Sequence, residues 1–562
     1  MHTAKLLAFL LSAAPAAAAH PPDDDPSMRA LVDELGRART LKMDGADAPY
    51  FVDGYVNDAK MFDVEASFGA ITHRGSSEFR TAGANVRVGS PELDNTSFAD
   101  RDHFDMSMMM GDRGGAPVPV DGDYDALRQA LWLRWDGAYK RALETLARKK
   151  AYLQTNASAD RPNDFAPAKV VSLVQPKAKL GIDEERWTRV VREASAVFRA
   201  APGVSMGNAM LFAQAKNETL ATSDPIQVRF GENEVQLVLS ASMAAPDGME
   251  LQLSHEVRGR VESDLPKDAE VLRSAKDLLA KLQALAKAPT LPEDYSGPVL
   301  FTGRAASAFF ANALGDPLSG AREALGASSE GRLTERLGKH VTTPLLTVRD
   351  DSTQKMWKGK SLLGYYPVDD QGVKPEPITL IKKGVLQTYF TDRSPTRRVT
   401  EDNGHARGNR ASMGTLFVEA SETKSRDALK KQLIQLAKEN DQDYGLLVEE
   451  LDDGGMSRQF EFMDMDEGGG DIHLPPPAIA YRVFLDGHEE LVRGASFKPV
   501  SFRALKDIAA LGNEPTLLNT TMDRQSVSVI APAVLVKQLD LKKPPHEHEK
   551  PPAISRPTVS AR

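Results

Sequence analysis

The chain contains no cysteine among its 562 residues. This absence excludes disulfides, thiolate metal ligands and a cysteine nucleophile. An excess of positive charge is missing as well, because 70 Lys and Arg stand against 79 Asp and Glu and the formal net charge is −9. A dedicated nucleic-acid-binding protein would carry a basic surface, so this balance argues against nucleic acid as a partner.

Long apolar runs are also absent, and the one short run stands at the start of the chain. Lys5 precedes the apolar stretch from Leu6 to Ala14, and small residues follow up to Ala19. This order is typical of a secretory signal peptide over residues 1–19, and the stretch is shorter than the ~20 apolar residues of a membrane span. We therefore expect export to the bacterial periplasm or secretion, with no membrane span.

The length predicts two or three domains. After the signal peptide we expect an N-terminal α/β domain over residues 20–290, ending near the linker "APTLPEDYSG". A larger, antiparallel β-rich domain then covers residues 291–541. The Pro-rich, charged tail over residues 542–562 is expected to be disordered. The expected fold class is α+β.

Hydrophobic periodicity places the main elements. Apolar residues recur at helical spacing over 124–152, 182–198 and 266–287, and they alternate over 249–262. Hairpins are predicted to turn at Lys383-Gly384 and at Asp486-Gly487, because such dipeptides favour tight turns.

The alternating strand contains His255 followed by Glu256, the pair with which zinc-peptidase motifs begin. Alternation on a strand sends neighbouring side chains to opposite faces, so His255 is expected to point into the core and Glu256 away from it. The positions four and five after His255 hold Gly259 and Arg260, which cannot bind zinc. We therefore expect no metal at this pair.

Three further stretches resemble metal sites only superficially. His488-Glu489 lies at a predicted hairpin turn, and "HEH" at 546–548 lies in the expected tail. The acidic stretch "DMDEGGGD" at 464–471 lacks the closing Glu of an EF-hand calcium loop, so a surface loop is expected there. No nucleophile elbow, P-loop or dinucleotide fingerprint is present.

Several stretches of the C-terminal half resemble the TldD/PmbA family of peptidase-like proteins. They are "GPVLFTGRAASAFFANALGDPLSG" (297–320), "PLLTVRDDST" (344–353), "YYPVDDQGVKPEPITLIKKGVLQTYFTDR" (365–393), "NGHARGN" (403–409) and "AYRVFLDGHEELVRGASF" (480–497), and "VRVGSPELDNTSF" (86–98) is similar to the family's N-terminal half. The resemblance implies a two-domain α+β fold and a dimer, with like or unlike subunits. Catalytic members are zinc peptidases that act on unfolded peptides.

The family's zinc motif, H-E-x-x-x-H on a helix plus a distant Cys, is not matched in this chain. By position the resemblance assigns the first His, the Glu and the second His to Phe309, Phe310 and Leu314. These apolar side chains cannot bind zinc or activate water, and no Cys exists to complete the set. The chain is therefore closer to the family's metal-less, PmbA-like branch, and we expect no catalytic residue, no metal and no cofactor.

Three functions stay open at this point. The first is a non-catalytic, peptide-binding or partner subunit of an exported proteolytic complex, as a homodimer or paired with a metal-binding relative. The second is an active peptidase with a rearranged site, for which Asp350, Asp351, Asp369 and Asp370 are the candidates, although such residues also favour turns. The third is a structural role in envelope assembly without a peptide ligand.

Overall fold

The computed structural model describes residues 25–99, 115–156, 161–224, 226–320, 322, 324–325, 333–408, 410–452, 472–522 and 524–544. The predicted signal peptide, the acidic stretch at 464–471 and the "HEH" at 546–548 lie outside the described residues. Seven α-helices occur in the described part of the chain. They are α1 (Pro26–Ala38), α2 (Tyr124–Thr155), α3 (Glu184–Arg199), α4 (Asp268–Lys287), α5 (Gly303–Leu314), α6 (Arg426–Glu439) and α7 (Arg503–Lys506).

The N-terminal half folds into one sheet of long strands. Its members are β1 (Pro49–Ser67), β2 (Ala70–Ser90), β3 (Leu93–Asp94), β4 (Ala116–Pro117), β5 (Leu173–Val174), β6 (Val204–Thr222), β7 (Gln227–Ala244) and β8 (Glu250–Gly259). The order is β3-β2-β1-β6-β7-β5, with β4 beside β2 and β8 beside β7. All of these pairs are antiparallel except β5 with β7.

Two helix pairs pack on one face of this sheet, at different ends of its long strands. On β1, Val52 and Val56 join the core formed with α1 and α2, whereas Phe62, Val64 and Ala66 join the core formed with α3 and α4. These residues are all even-numbered, as expected for one face of a strand. Tyr55 faces the other way and packs with Val368 of the C-terminal half.

The C-terminal half contains two larger sheets and two short ribbons. The six-stranded sheet, in the order β14-β13-β10-β17-β24-β23, comprises β10 (Leu346–Asp350), β13 (Ile378–Lys382), β14 (Val385–Leu386), β17 (Thr415–Ala420), β23 (Thr516–Met522) and β24 (Gln525–Ala531). The ribbons are β11 (Met356–Trp357) with β12 (Lys360–Ser361) and β15 (Ala406–Arg407) with β16 (Arg410–Ala411).

The seven-stranded sheet follows the order β20-β19-β18-β9-β25-β21, and β22 also pairs with β25. Its members are β9 (Tyr295–Phe301), β18 (Tyr444–Leu451), β19 (Pro477–Phe484), β20 (Glu489–Val492), β21 (Ser496–Phe497), β22 (Ile508–Leu511) and β25 (Val534–Lys542). In both sheets most strand pairs are antiparallel. The parallel pairs are β9 with β18 in the seven-stranded sheet and β17 with β24 in the six-stranded sheet. The prediction of an α+β fold with a β-rich C-terminal half is confirmed.

Helix α5 lies inside the main C-terminal core. Val299 and Phe301 of β9 face that core, whereas Leu300 between them faces α6 on the other side of the sheet. Residues of the six-stranded sheet, such as Val348 and Leu416, join the same core. The interior is thus built from both sheets with α5 packed against them, and this packing fixes the rotation of α5.

The predicted helices and hairpins are confirmed with small shifts at their ends. Helix α2 extends to Thr155, and the strand that contains His255 ends at Gly259 rather than at Glu262. The hairpin from β13 to β14 turns at Lys383 and Gly384, both with positive φ, as a two-residue type I′ turn requires. None of the described helices has a stretch with the length and hydropathy that a bilayer span requires.

Two hairpin glycines provide a matched test of this turn geometry. Gly384 has a φ of +82°, and a Cβ there would lie 2.7 Å from the carbonyl oxygen of Thr342. Gly487 has a φ of +89° with open space around the Cβ position. We predict that Gly487→Ala costs about 1–2 kcal/mol of unfolding free energy from the left-handed conformation alone, and that Gly384→Ala costs about 1–3 kcal/mol more through the backbone clash. Urea unfolding of both variants measures the difference, and equal losses would contradict the turn geometry.

Candidate functional site

A cleft of about 310 Å³ lies between helix α5 and strands of both halves of the chain. Strand β8 supplies one wall, from Gln252 to Glu256. Strand β23 supplies alternate residues Leu518, Thr520 and Met522, together with Thr521. The cleft therefore brings together the last strand of the N-terminal half and the end strand of a C-terminal sheet, with α5 against both.

Helix α5 presents a narrow face to this cleft, made of two alanines, one arginine and one asparagine. The α5 residues that line it are Arg304, Ala308, Ala311 and Asn312. Arg304 donates through Nη1 to the carbonyl oxygen of Glu256 at 2.7 Å, which joins the helix to β8. Asn312 donates its amide to the carbonyl oxygen of Ala308 at 2.8 Å, one turn back on the helix.

Phe309, Phe310 and Leu314, the positions that the family resemblance assigns to the metal motif, lie in the core. Their exposures are 0%, 0% and 1%, and the Phe309 ring stacks on Phe301 of β9 with centroids 5.0 Å apart. They fill the space between the sheets and do not line the cleft. Their correspondence to the motif stays a prediction. The consecutive α5 residues that do face the cleft are Ala311 and Asn312.

His255 lines the cleft from β8, and the prediction that it points into the core is wrong. The alternation of buried and exposed residues ends after Leu253, because Ser254, His255, Glu256 and Val257 are all half-buried. Burial, together with the charge of Arg304, lowers the pKa of His255, so the imidazole is held neutral. Glu256 accepts a hydrogen bond from Gln236 Nε2 at 2.6 Å on the neighbouring strand.

The side chains around this cleft do not fit a zinc ion. A catalytic zinc site takes three protein ligands and leaves one position open. Within the described ranges, no group of three His, Cys, Asp or Glu residues is placed to hold a metal ion. Ala311 has no ligand atom, and the amide of Asn312 is not among the Cys, His, Asp and Glu side chains that zinc takes. His488 and Glu489, as expected, are exposed on their hairpin.

The four aspartates proposed as a rearranged catalytic site organise loops instead. Asp369 is 2% exposed and accepts backbone N–H bonds from Gln371, Val373 and Ala406 at 2.8–3.0 Å. Asp370 accepts from the backbone N–H of Gly408 at 2.5 Å. These are the turn roles that the sequence also allowed.

Asp350 and Asp351 behave in the same way. Asp350 is completely buried and accepts from the Ser352 hydroxyl at 2.7 Å and from the Gly414 N–H at 3.0 Å. Burial opposes ionisation of Asp351, but hydrogen bonds from Thr353 and Gln354 outweigh it and lower its pKa. Asp350 is sealed from solvent, and the cavity that Asp369 lines has a volume of about 40 Å³, which is too small for a peptide substrate.

Sequence reasoning missed a buried histidine beside these aspartates. His405 has no exposed surface, and its Nε2 lies 3.3 Å from Asp350 Oδ1. Its Nδ1 contacts the carbonyl oxygen and the side-chain oxygen of Asn403 at 3.0 and 2.9 Å. The "NGHARGN" stretch contained the sequence signal for this residue, because a His between two glycines of a tight loop has its position set by the loop backbone. The closed surroundings make this pair a structural connection between loops.

Asp402 in the same loop provides a test by pH. Its Oδ1 accepts from Gly404 N–H at 2.7 Å, its Oδ2 has no hydrogen-bond partner in the described structure, and burial raises its pKa from 3.8 to about 6. The folded protein therefore binds this proton more tightly than the unfolded chain. Stability is undiminished below pH about 4 and falls as the pH rises through about 6.

We predict that Asp402→Asn removes the loss of stability that accompanies the rise in pH. Relative to the wild type, the variant should gain roughly 1–3 kcal/mol of unfolding free energy between pH 4 and pH 7. Chemical unfolding over this range measures the gain. Asp486→Asn, at the exposed hairpin turn, is the control for the loss of one negative charge. Parallel profiles for Asp402→Asn and the wild type would rule out a perturbed carboxyl at this position.

Comparison with known proteins agrees with the described geometry. Residues 294–543 match the family model "PmbA/TldA metallopeptidase C-terminal domain". A protein named "Metalloprotease TldD homolog" from Haemophilus influenzae is 38% identical over 64 residues, which cover 11% of this chain and 12% of that relative. The matched segment is thus a small part of the relative's length.

Solved structures share the fold over nearly the whole chain. A candidate modulator of DNA gyrase from Thermotoga maritima superimposes with a TM-score of 0.57 at 14% identity, covering 91% of this chain and 99% of the other. TldE from Thermococcus kodakarensis superimposes with a TM-score of 0.54 at 12% identity, covering 91% of this chain and 100% of the other. A candidate modulator of DNA gyrase from Bacteroides thetaiotaomicron superimposes with a TM-score of 0.57 at 12% identity, covering 92% of this chain and 98% of the other.

Proposed function

Because the chain belongs to the TldD/PmbA family of metallopeptidase-like proteins, we propose that it is a non-catalytic member that binds unfolded peptides in the α5 cleft. We propose further that it acts as the partner subunit of an exported proteolytic complex. The N-terminal signal pattern supports export, and the family resemblance supports a dimer. A metal-binding relative as the second subunit would supply the chemistry that this chain lacks.

One observation carries the proposal, namely the set of side chains that α5 presents to the cleft. Arg304, Ala308, Ala311 and Asn312 leave an accessible groove, and the part of the chain that the structure describes places no three His, Cys, Asp or Glu residues together there. Two alanines keep space open beside the helix backbone, where a larger side chain would fill it. A groove that is retained without its catalytic groups is suited to binding rather than bond cleavage.

The strands beside the cleft suit an extended peptide. Within the described residues, β8 pairs only with β7 and β23 only with β24, so each is the end strand of its sheet. An extended peptide can add to such an edge through backbone hydrogen bonds, while pockets receive alternate side chains. Leu518, Thr520 and Met522, spaced two residues apart on β23, would form such pockets.

We predict that filling the groove abolishes peptide capture. Ala308→Phe places a ring in the cleft and should weaken binding of a fluorescently labelled, unstructured peptide about tenfold or more, a cost of ~1.4 kcal/mol or greater. Fluorescence anisotropy with the purified chain measures the affinity, and the peptide should be recovered uncleaved.

Ala151→Phe is the matched control, because Ala151 is exposed on helix α2 and outside the cleft. This variant should bind the peptide as the wild type does. If the wild-type chain shows no affinity for unstructured peptides, or if both variants bind equally well, peptide capture in the α5 cleft is wrong.

A further inference from the structure

Six basic residues lie together where the turn from β13 to β14 and helix α7 meet a common loop. They belong to three segments of the chain, namely residues 333–343, 382–384 and 503–507. The Val341 N–H donates to the carbonyl oxygen of Gly384 at 2.8 Å, and the Thr343 N–H donates to the carbonyl oxygen of Leu505 at 3.1 Å. The first segment therefore joins the other two, and none of the three lines the α5 cleft.

These segments carry positive charge on a chain that is acidic as a whole. They contain six cations against two carboxylates, Glu335 and Asp507, so they have a formal excess of four positive charges, whereas the net charge of the chain is −9. All six cations are exposed to solvent. The cations, which we call the basic edge, are Arg336, Lys339, Lys382, Lys383, Arg503 and Lys506.

Salt bridges do not remove this excess. Arg503 pairs with Asp507 at 3.1 Å, and these two charges cancel. The other five cations form no salt bridge and no side-chain hydrogen bond with any residue that the structure describes. Arg336 has a ring as its neighbour, with the guanidinium carbon 6.0 Å from the centroid of Phe502. Because Glu335 can neutralise one of the five at most, four positive charges stay uncompensated.

The backbone beneath the basic edge is fixed by hydrogen bonds. The Leu386 N–H donates to the carbonyl oxygen of Lys339 at 3.0 Å, and the Gly384 N–H donates to that of Leu346 at 2.9 Å. Lys383 and Gly384 form the tight turn described above. The lysine side chains thus start from fixed positions while their ammonium groups stay in water, so several of them can face one anionic surface at the same time.

The basic edge offers charge without an apolar residue that could insert into a partner. Leu337 is half-buried, and Leu333, Val341, Ala504 and Leu505 are buried. Lysines, which are strongly hydrated point charges, outnumber arginines by four to two. These features suit contact with many anionic groups spread over a surface, and they do not suit the enclosure of one small ligand.

The acidic remainder of the chain limits the shape of an anionic partner. A flexible polyanion would reach the acidic surfaces as well and would be repelled there. A flat surface meets the basic edge alone, because salt at about 0.1 M screens exposed charges that lie more than about 10 Å away. Clusters of about four to eight basic residues are typical of protein surfaces that bind anionic lipids.

We infer that the basic edge binds the surface of a membrane that contains anionic phospholipids. The ammonium and guanidinium groups contact lipid phosphates, and no side chain enters the hydrocarbon, so the binding is reversible and sensitive to salt. The export proposed above would bring the chain to such membranes. The inference itself rests on the charge of the basic edge and does not depend on peptide capture in the α5 cleft.

Cosedimentation of the purified full chain with vesicles tests the inference. Vesicles of equal parts phosphatidylglycerol and phosphatidylcholine should bind the chain, whereas vesicles of phosphatidylcholine alone should not. Raising the salt from about 0.1 M to about 1 M shortens the Debye length from about 10 Å to about 3 Å and should release the protein. Equal binding to both kinds of vesicle, or no binding to either, would overturn the inference.

Two double variants with the same change of charge locate the contact. Lys339→Gln with Lys382→Gln should weaken binding to the anionic vesicles about tenfold or more, because one basic residue near such a surface contributes about fivefold. Lys276→Gln with Lys431→Gln, at exposed positions on α4 and α6, is the control and should bind as the wild type does. Both variants should keep the urea unfolding curve of the wild type. Equal losses in the two double variants would reduce the effect to net charge and contradict the inference.

Two further measurements separate this surface from other partners and from the α5 cleft. Ala308→Phe should bind the anionic vesicles as the wild type does. Poly-L-glutamate at the same salt concentration should bind more weakly than the vesicles. If it binds as tightly and is weakened equally by Lys339→Gln with Lys382→Gln, the partner is an acidic protein segment and the inference of a membrane surface is wrong.

Discussion

The burial of the aromatic face of helix α5 determines what the molecule can do. Phe309 stacks on Phe301 between the two C-terminal sheets, and Phe310 and Leu314 are buried with it. Burying each of these side chains contributes about 1.5–3 kcal/mol, so the rotation of the helix about its axis is strongly fixed. Since one face must remain in the core, only Arg304, Ala308, Ala311 and Asn312 are left for the cleft.

That constraint also explains where sequence reasoning succeeded. Helical periodicity located α2, α3 and α4 within a few residues, because each helix has one buried stripe on a polar background. The hairpin at Lys383-Gly384 was predictable, because a local turn sets its own backbone angles. The same reasoning failed at His255, where β8 is an end strand and the expected core face opens onto the α5 cleft.

Features that depend on distant parts of the chain were beyond single-sequence patterns. The guanidinium groups of Arg87 and Arg393 both lie 4.1 Å from the centroid of the Phe165 ring, and no local spacing in the sequence relates these three residues. The burial that raises the pKa of Asp402 likewise arises only after the loops of the C-terminal half have packed. Loop residues of this kind look like ordinary turn formers in sequence, and their packing decides their chemistry.

The central claim is that the α5 cleft holds peptides without cutting them. The most direct measurement is mass spectrometry of an unstructured peptide after incubation with the purified chain and added zinc, combined with metal analysis of the protein. Our account predicts intact peptide, retained by the protein, and no stoichiometric zinc. Peptide fragments that disappear when a chelator is added, together with one bound zinc per chain, would contradict it.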